Sequence, residues 1–291
     1  MKAVVTGGAG FIGSHIAERL LKDGHKVTIL DDFSSGKEEN IPDGAESVWC
    51  DITDLDPTIV KGADVVFHNA ASKKNICLEN PLRDLHVNGG GTLELLEACR
   101  EYKVKKFVHA STGSVYGNVV TQIDENTPTN PVSYYGVSKL AGEGYVRYYH
   151  YAHNMNTTIL RYFHVYGERQ EDDPSLGGVV AIFKKQIQSR QQIQIHGDGN
   201  QERVFTHVSD VVEANIQAWK RSSSCGQIYN CCSSHQVTVG KLADMLMEKY
   251  GDVEREYVDP LPGDIYWFAV DNTKIVQGLG IEFKPFHSDL I

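Results

Sequence analysis

Tyr135 and Lys139 stand four residues apart in the stretch Ser133-Tyr134-Tyr135-Gly136-Val137-Ser138-Lys139. On a helix that spacing puts both side chains on one face, a turn apart. An ammonium beside a phenol favours phenolate and draws the phenol down from its ordinary pKa of about 10. A phenol tuned this way can take a proton from a hydroxyl while a hydride leaves the carbon that bears it. By itself the spacing is that of any solvated helix face. It becomes chemistry only if neighbouring elements bring a hydride acceptor and a second polar group to the same place.

Those elements are legible from the amino terminus. Residues 3–6 form a short apolar strand, Gly7-Gly8-Ala9-Gly10-Phe11-Ile12-Gly13 follows, and residues 14–21 have helical period. Strand, glycine turn and helix are the context in which Gly-x-Gly-x-x-Gly carries meaning. The glycines permit a tight turn, let backbone approach a pyrophosphate and let the helix pack close to the strand. The helix amino terminus adds amides and a positive dipole end. The next strand, 26–30, ends in Asp31-Asp32. An acidic residue about 20 residues past such glycines takes the adenosine ribose hydroxyls. A carboxylate there repels a 2′-phosphate, so NAD is favoured over NADP, and Asp31 is expected to be the ribose ligand.

Further strands are expected at 48–52, 64–68, 106–110 and 157–163, alternating with helices, one of them a long stretch from Pro81 through Asn88 to 97. Asn69-Ala70-Ala71 leaves room beyond the fourth strand, and hydroxyls crowd the end of the fifth in Ser111-Thr112-Gly113-Ser114-Val115-Tyr116-Gly117. Ligands in open parallel sheets bind at such carboxyl ends. The alternation predicts an α/β fold, a Rossmann-type doubly wound parallel sheet. Past Tyr166 the pattern turns irregular, with a polar loop at 168–178, helices at 179–190, 211–221 and 239–250, and a short strand at 193–195. The expected organisation is an NAD-binding Rossmann domain over 1–165 and a smaller C-terminal α/β substrate lobe over 166–291, some of whose elements return to the sheet.

Composition bounds the partners. The formal net charge is -10, which argues against a nucleic-acid binder, so any phosphate must be caught locally. The six cysteines show no Cys-x-x-Cys spacing, and the Cys231–Cys232 adjacency is not a zinc-ligand spacing, so reduced thiols and no metal are expected. The chain opens directly into a strand and holds no apolar run of bilayer length. No signal peptide, a cytoplasmic location and no membrane partner are therefore expected.

Taken together these stretches resemble the extended short-chain dehydrogenase/reductase family of nucleotide-sugar enzymes. The match rests on Thr6 to His15, Asp31-Asp32, His68-Asn69-Ala70-Ala71, Asn88, Ser111-Thr112 through Gly117, and Tyr135 with Lys139. Later come Leu160-Arg161-Tyr162-Phe163-His164-Val165-Tyr166-Gly167, Gly197-Asp198-Gly199 through Arg203, and Pro262-Gly263-Asp264. The resemblance implies Thr112, Tyr135 and Lys139 as catalytic residues, with Thr112 on the sugar O4, Tyr135 as base and Lys139 on the nicotinamide ribose. It implies cofactor contacts from Gly7, Gly10, Phe11, Ile12, Gly13, Asp31, Asp32, Ser35, Gly36, Asp51, Ile52, Ala70, Ala71, Lys73, Asn88, Tyr135, Lys139 and Tyr162. Substrate contacts would come from Ser111, Thr112, His164, Arg203 and Phe268.

Within the family, 4,6-dehydratases carry an acidic pair where this chain has Gly113 and Ser114, and UDP-glucuronate decarboxylases carry a glutamate at the Ser114 position. Without those acids what remains is oxidation at C4, rotation of the 4-keto sugar and hydride return. The resemblance therefore implies an NAD-dependent UDP-sugar 4-epimerase, interconverting UDP-glucose and UDP-galactose. Alternatives are a 4-epimerase of UDP-hexuronic acids or UDP-N-acetylhexosamines, an NDP-4-keto-sugar reductase, and a catalytically silent NAD-binding regulator. The chain departs from the family pattern at His164 (often Asn), Glu168 (Pro), Val204 (Asp) and Leu261 (Arg). Members usually continue through another helix beyond the place where this chain ends. A homodimer is implied through the helices holding 93–99 and 142–151, the second rich in tyrosine.

Overall fold

Apolar residues fill both faces of the central strands, which is the pattern of a parallel sheet covered on each side. In the computed structural model, which describes residues 1–72, 74–173, 177–260, 266–267 and 269–286, these strands are β1 (Lys2–Thr6), β2 (Lys26–Asp31), β3 (Glu46–Trp49), β4 (Val65–His68), β5 (Lys106–Thr112) and β6 (Thr157–Tyr162). The short strands β7 (Val165–Tyr166), β8 (Ile193–His196), β9 (Glu202–Val204) and β10 (Thr206–His207) follow, then β11 (Gln227–Cys231), β12 (Gln236–Thr238) and β13 (Arg255–Val258). One seven-stranded sheet runs in the order β11-β6-β5-β4-β1-β2-β3, and every adjacent pair is parallel. The order reverses between β1 and β4, which opens a crevice at their carboxyl ends.

The helices are α1 (Phe11–Lys22), α2 (Lys74–Glu79), α3 (Pro81–Leu85), α4 (Thr92–Glu101), α5 (Tyr134–His153), α6 (Val179–Gln188), α7 (Val208–Lys220), α8 (Val239–Tyr250) and α9 (Thr273–Leu279). Alternation along β1 divides the core. Ala3 and Val5 join one cluster with Ile16 and Leu20 of α1, Val211 and Ile216 of α7, and Ile275 of α9. Val4 faces the opposite cluster, with Leu95 and Leu96 of α4 and Val146 and Tyr149 of α5. A separate core packs α6 and α8 around Ile193, Ile195, Tyr166 and Phe205.

Three elements differ from the sequence expectation. The third strand lies earlier, at Glu46–Trp49, because Asp51 accepts hydrogen bonds from the Thr53 backbone N–H and hydroxyl at 2.9 and 2.8 Å and turns the chain away. The long helix from Pro81 is interrupted: α3 and α4 flank a π-helical segment, His86–Gly91. The segment contains Gly89-Gly90-Gly91, and a Cβ on Gly91 would lie 2.6 Å from the Ile52 side chain. Extra residues inserted into a helix this way are frequent beside functional sites. The seventh strand, β11, comes from the later part of the chain, from which elements were expected to return to the sheet but no strand was placed at 227–231, and it pairs with β6 from Gln227↔Thr158 to Cys231↔Tyr162. Among the described residues no helix is long and apolar enough to cross a membrane.

Candidate active site

The glycine turn between β1 and α1 is packed backbone against backbone. Gly7 adopts a positive φ of 64°, and a Cβ there would lie 2.7 Å from the Ala70 nitrogen. A Cβ on Gly13 would sit 2.1 Å from the Gly7 carbonyl oxygen. The α1 N-cap is Gly10, which has no side chain to occupy the first-turn amides. About twenty residues past the glycines, Asp31 closes β2. Its carboxylate accepts from the Ala9 and Phe33 N–H groups, both at 2.9 Å. Burial raises its pKa, and the two amides oppose that shift.

These groups line one wall of a cleft of about 320 Å³ at the β1/β4 reversal. The cleft brings together Gly7, Gly10, Phe11, Ile12 and Gly13 of the turn, Asp31, Asp32, Ser35 and Gly36 beyond β2, and Ile52, Ala70 and Ala71. Tyr162, Tyr135 and Lys139 close the far side, with Ser111. The lining fits a dinucleotide: uncapped amides for a pyrophosphate, a fixed carboxylate for a ribose. Asn69 adds a further sign of a ligand, because the residue lines the cleft and its side-chain nitrogen and oxygen are buried with no hydrogen-bond partner among the described residues.

Asp51 and Asn88 stand one layer behind the lining. Arg83 lines the cleft from α3 and donates to Asp51 at 2.9 Å, to Thr53 at 3.1 Å and to Asp32 at 3.3 Å, so it braces the ribose end. Arg83 and Ser72 carry no spacing signal, and only the fold brings them here, whereas Asn69 stands in the 68–71 stretch at the end of the fourth strand that the sequence already marked. Asn88 accepts from the Ser72 N–H at 3.0 Å and donates to the Ser138 hydroxyl at 3.0 Å. Lys73 lies outside the described residues.

The catalytic candidates meet where β5 ends against α5. Ser133 caps α5 by accepting from the Gly136 N–H at 3.1 Å, which sets Tyr135 and Lys139 on its first turns. Thr112 is the last residue of β5 and hydrogen-bonds the Tyr135 hydroxyl. The expected lowering of the phenol is not what the protein itself produces. Burial raises Tyr135 well above its ordinary value, Cys77 and Asp84 act in the same direction, and the Thr112 bond opposes them. Lys139 is 2% exposed and lowered to about 8 by burial, with Glu143 and Asp84 acting against that shift. Its charge acts on two buried histidines beneath it, His68, lowered to about 3 chiefly by burial, and His109.

Behind the pair runs a fully buried polar network. Ser111 donates to Glu143 at 2.5 Å, and Arg161 of β6 grips the same carboxylate through two bonds of 2.8 and 2.6 Å. Arg161 also donates to the Tyr116 hydroxyl, which in turn donates to Asn230 of β11, each at 2.7 Å. The Ser111 proton is thus committed to Glu143, leaving its oxygen toward the cleft.

His164 and Arg203 do not line the cleft. His164 has a φ of 35°, a left-handed conformation in which His and Asn are the better tolerated side chains, and its ring packs edge-on to Phe205 at 5.9 Å. Arg203, on β9, is 7% exposed and donates to the Glu202 carbonyl at 2.8 Å. Phe268, Leu261 and the Pro262-Gly263-Asp264 stretch lie outside the described residues.

A doubly wound sheet with a glycine turn at its first crossover and a Tyr/Lys helix facing it defines a Rossmann-type enzyme of the extended short-chain dehydrogenase/reductase kind. The chain belongs to the NAD dependent epimerase/dehydratase family, whose model matches residues 3–232. It is 37% identical over 96% of its length to the UDP-glucose 4-epimerase of Mycolicibacterium smegmatis, covering 93% of that protein. Among solved structures, the UDP-glucose 4-epimerase of Thermotoga maritima with UDP-glucose superposes with a TM-score of 0.93 at 36% identity, covering 98% of this chain and 94% of that one. The UDP-glucose 4-epimerase of Thermus thermophilus in complex with NAD gives 0.93 at 34% identity, covering 100% and 96%.

Proposed function

We propose that this protein is an NAD-dependent UDP-hexose 4-epimerase that interconverts UDP-glucose and UDP-galactose. The observation that carries this reading is that Tyr135 and Lys139 line a cleft whose other wall is the glycine turn and Asp31, while Thr112, at the end of β5 and outside that lining, acts on the Tyr135 phenol. The Rossmann groups would hold NAD, with Phe11 and Ile12 at its pyrophosphate and Asp31 at its adenosine ribose. NAD supplies the acceptor, and then the donor, for the hydride of C4. The chain's own residues handle the proton. Tyr135 takes it from the C4 hydroxyl, the Thr112 hydroxyl holds that oxygen, and Lys139 supplies the positive charge that offsets the cost of a buried phenolate. When hydride returns to the other face of a rotated sugar, Tyr135 gives the proton back. Proton and hydride are both restored, so no net oxidation occurs.

The structure also supports the absence of an elimination step. A Cβ at residue 113 would lie 2.3 Å from the Phe163 ring, and the Ser114 hydroxyl is engaged by Thr112 at 3.2 Å. Neither position holds the acid that dehydration or decarboxylation needs. The decisive assay incubates the purified protein with UDP-galactose and no added cofactor. UDP-glucose should accumulate, and NAD should be released on denaturation; failure of both overturns the reading.

The protein is further read as a cytoplasmic homodimer. No disulfide forms among the described residues, which include all six cysteines, and this suits a reducing compartment. On α5, Tyr148 and Tyr151 are exposed and Tyr145 is at the exposed margin, an aromatic stripe suited to a partner helix pair. Sedimentation velocity should show a dimer that Tyr148→Glu weakens.

A further inference from the structure

We propose that Asp84 is a positioning residue for the acid–base pair, a buried carboxylate that fixes the first turn of α5 through Asn88 and Ser138 and supplies a fixed negative charge behind Tyr135 and Lys139. This inference rests on the reading of Tyr135 and Lys139 as the reaction's proton-handling groups.

Asp84 sits on α3 and is 1% exposed. Its Oδ1 accepts from the Asn88 side-chain amide at 2.7 Å and from the Cys77 thiol. Burial pushes that thiol up to about 12, and the bond to Asp84 adds to the shift, so Cys77 stays a donor. Asn88 spends its remaining capacity on both sides of the cleft. It accepts from the Ser72 N–H at 3.0 Å, beside Ala70 and Ala71, and donates to the Ser138 hydroxyl at 3.0 Å. Ser138 then donates to the Tyr135 carbonyl at 3.1 Å. One carboxylate therefore orders the loop after β4, the π-helical segment and the turn that carries the catalytic phenol. The π-helical break places Asn88 between Asp84 and Ser138, which gives that irregularity a use.

The charge matters as well as the bonds. The groups facing Tyr135 are Cys77 from α2, Asp84 from α3 and Thr112 from β5. Those facing Lys139 are Glu143 on its own helix, Asp84, and the neutral rings of His68 and His109 from β4 and β5. Asp84 is the one carboxylate common to both sets. A fixed negative charge there disfavours phenolate and favours ammonium, so it moves both ionisations to higher pH.

The test is Asp84→Asn in the holoenzyme, which keeps the shape and removes the charge. Both limbs of kcat against pH should move to lower pH by about one unit. Ser138→Ala, with the charge intact, should lower kcat about tenfold without moving the limbs. A merely structural Asp84 would lower activity or melting temperature and leave the limbs in place, and that result overturns the proposal. Should Asp84→Asn not fold, Ser138→Ala decides: wild-type kcat there overturns the proposal. Phenolate absorbance, titrated in each background and in its Tyr135→Phe counterpart, reads Tyr135 without any sugar. A lower midpoint in Asp84→Asn therefore stands even if UDP-galactose proves not to be the substrate.

Discussion

At the scale of single residues, Tyr135 is held in a state that works against its own chemistry until the site is complete. Burial favours the neutral phenol, Cys77 and Asp84 add to that, and the counterweight within the protein is the Thr112 bond. Tyr135→Phe should therefore cost about 10²–10⁴ in kcat while the purified protein keeps its NAD, read by single-turnover assay and by cofactor release. Lys106 is the opposite case, a buried cation with no catalytic use. It is 2% exposed, donates to Asn156 at 2.8 Å and Ser224 at 2.7 Å, and is lowered from 10.5 to about 8 by burial. Between those values the unfolded chain binds the extra proton. Stability should rise as pH rises across that window, with the full cost present below about 8. Lys106→Met should flatten that rise, as measured by melting temperature against pH.

At the scale of elements, β5, β6 and α5 are held in register by charge as well as by apolar packing. The Glu143–Arg161 pair is buried at both ends, with side-chain exposures of 1% and 4%. Removing one partner strands the other, so Glu143→Gln should destabilise by about 3–5 kcal/mol in denaturant unfolding. The β1–α1 turn has a different vulnerability, because it has no room. A Cβ on Gly13 would meet the Gly7 oxygen at 2.1 Å, so Gly13→Ala must open the turn. The expected outcome is a folded protein that purifies without NAD, checked by circular dichroism beside cofactor content.

At the scale of the molecule, the chain crosses its own apparent boundary. β11 adds to the sheet beside β6, and α7 covers the same face as α1, with Val211, Ala214 and Ile216 fully buried. A fragment of residues 1–165 would leave that face and the β6 edge open to water. It should be insoluble or bind hydrophobic dyes, whereas the full chain should unfold cooperatively.

The glycine turn, Asp31 and the Tyr135/Lys139 spacing were legible because each is local. A turn needs glycines at fixed offsets, a strand ends where its polar residue stands, and a helix face follows from its period. These local signals also predicted the doubly wound sheet, since alternating strands and helices leave few other ways to bury both faces. What lies between distant segments was not legible. Arg83 bracing Asp32 and Asp51, Asn88 as a latch rather than part of the lining, β11 completing the sheet and the raised phenol of Tyr135 depend on contacts that no spacing encodes. Electrostatics and desolvation are sums over neighbours in space, and those neighbours exist only once the chain has folded.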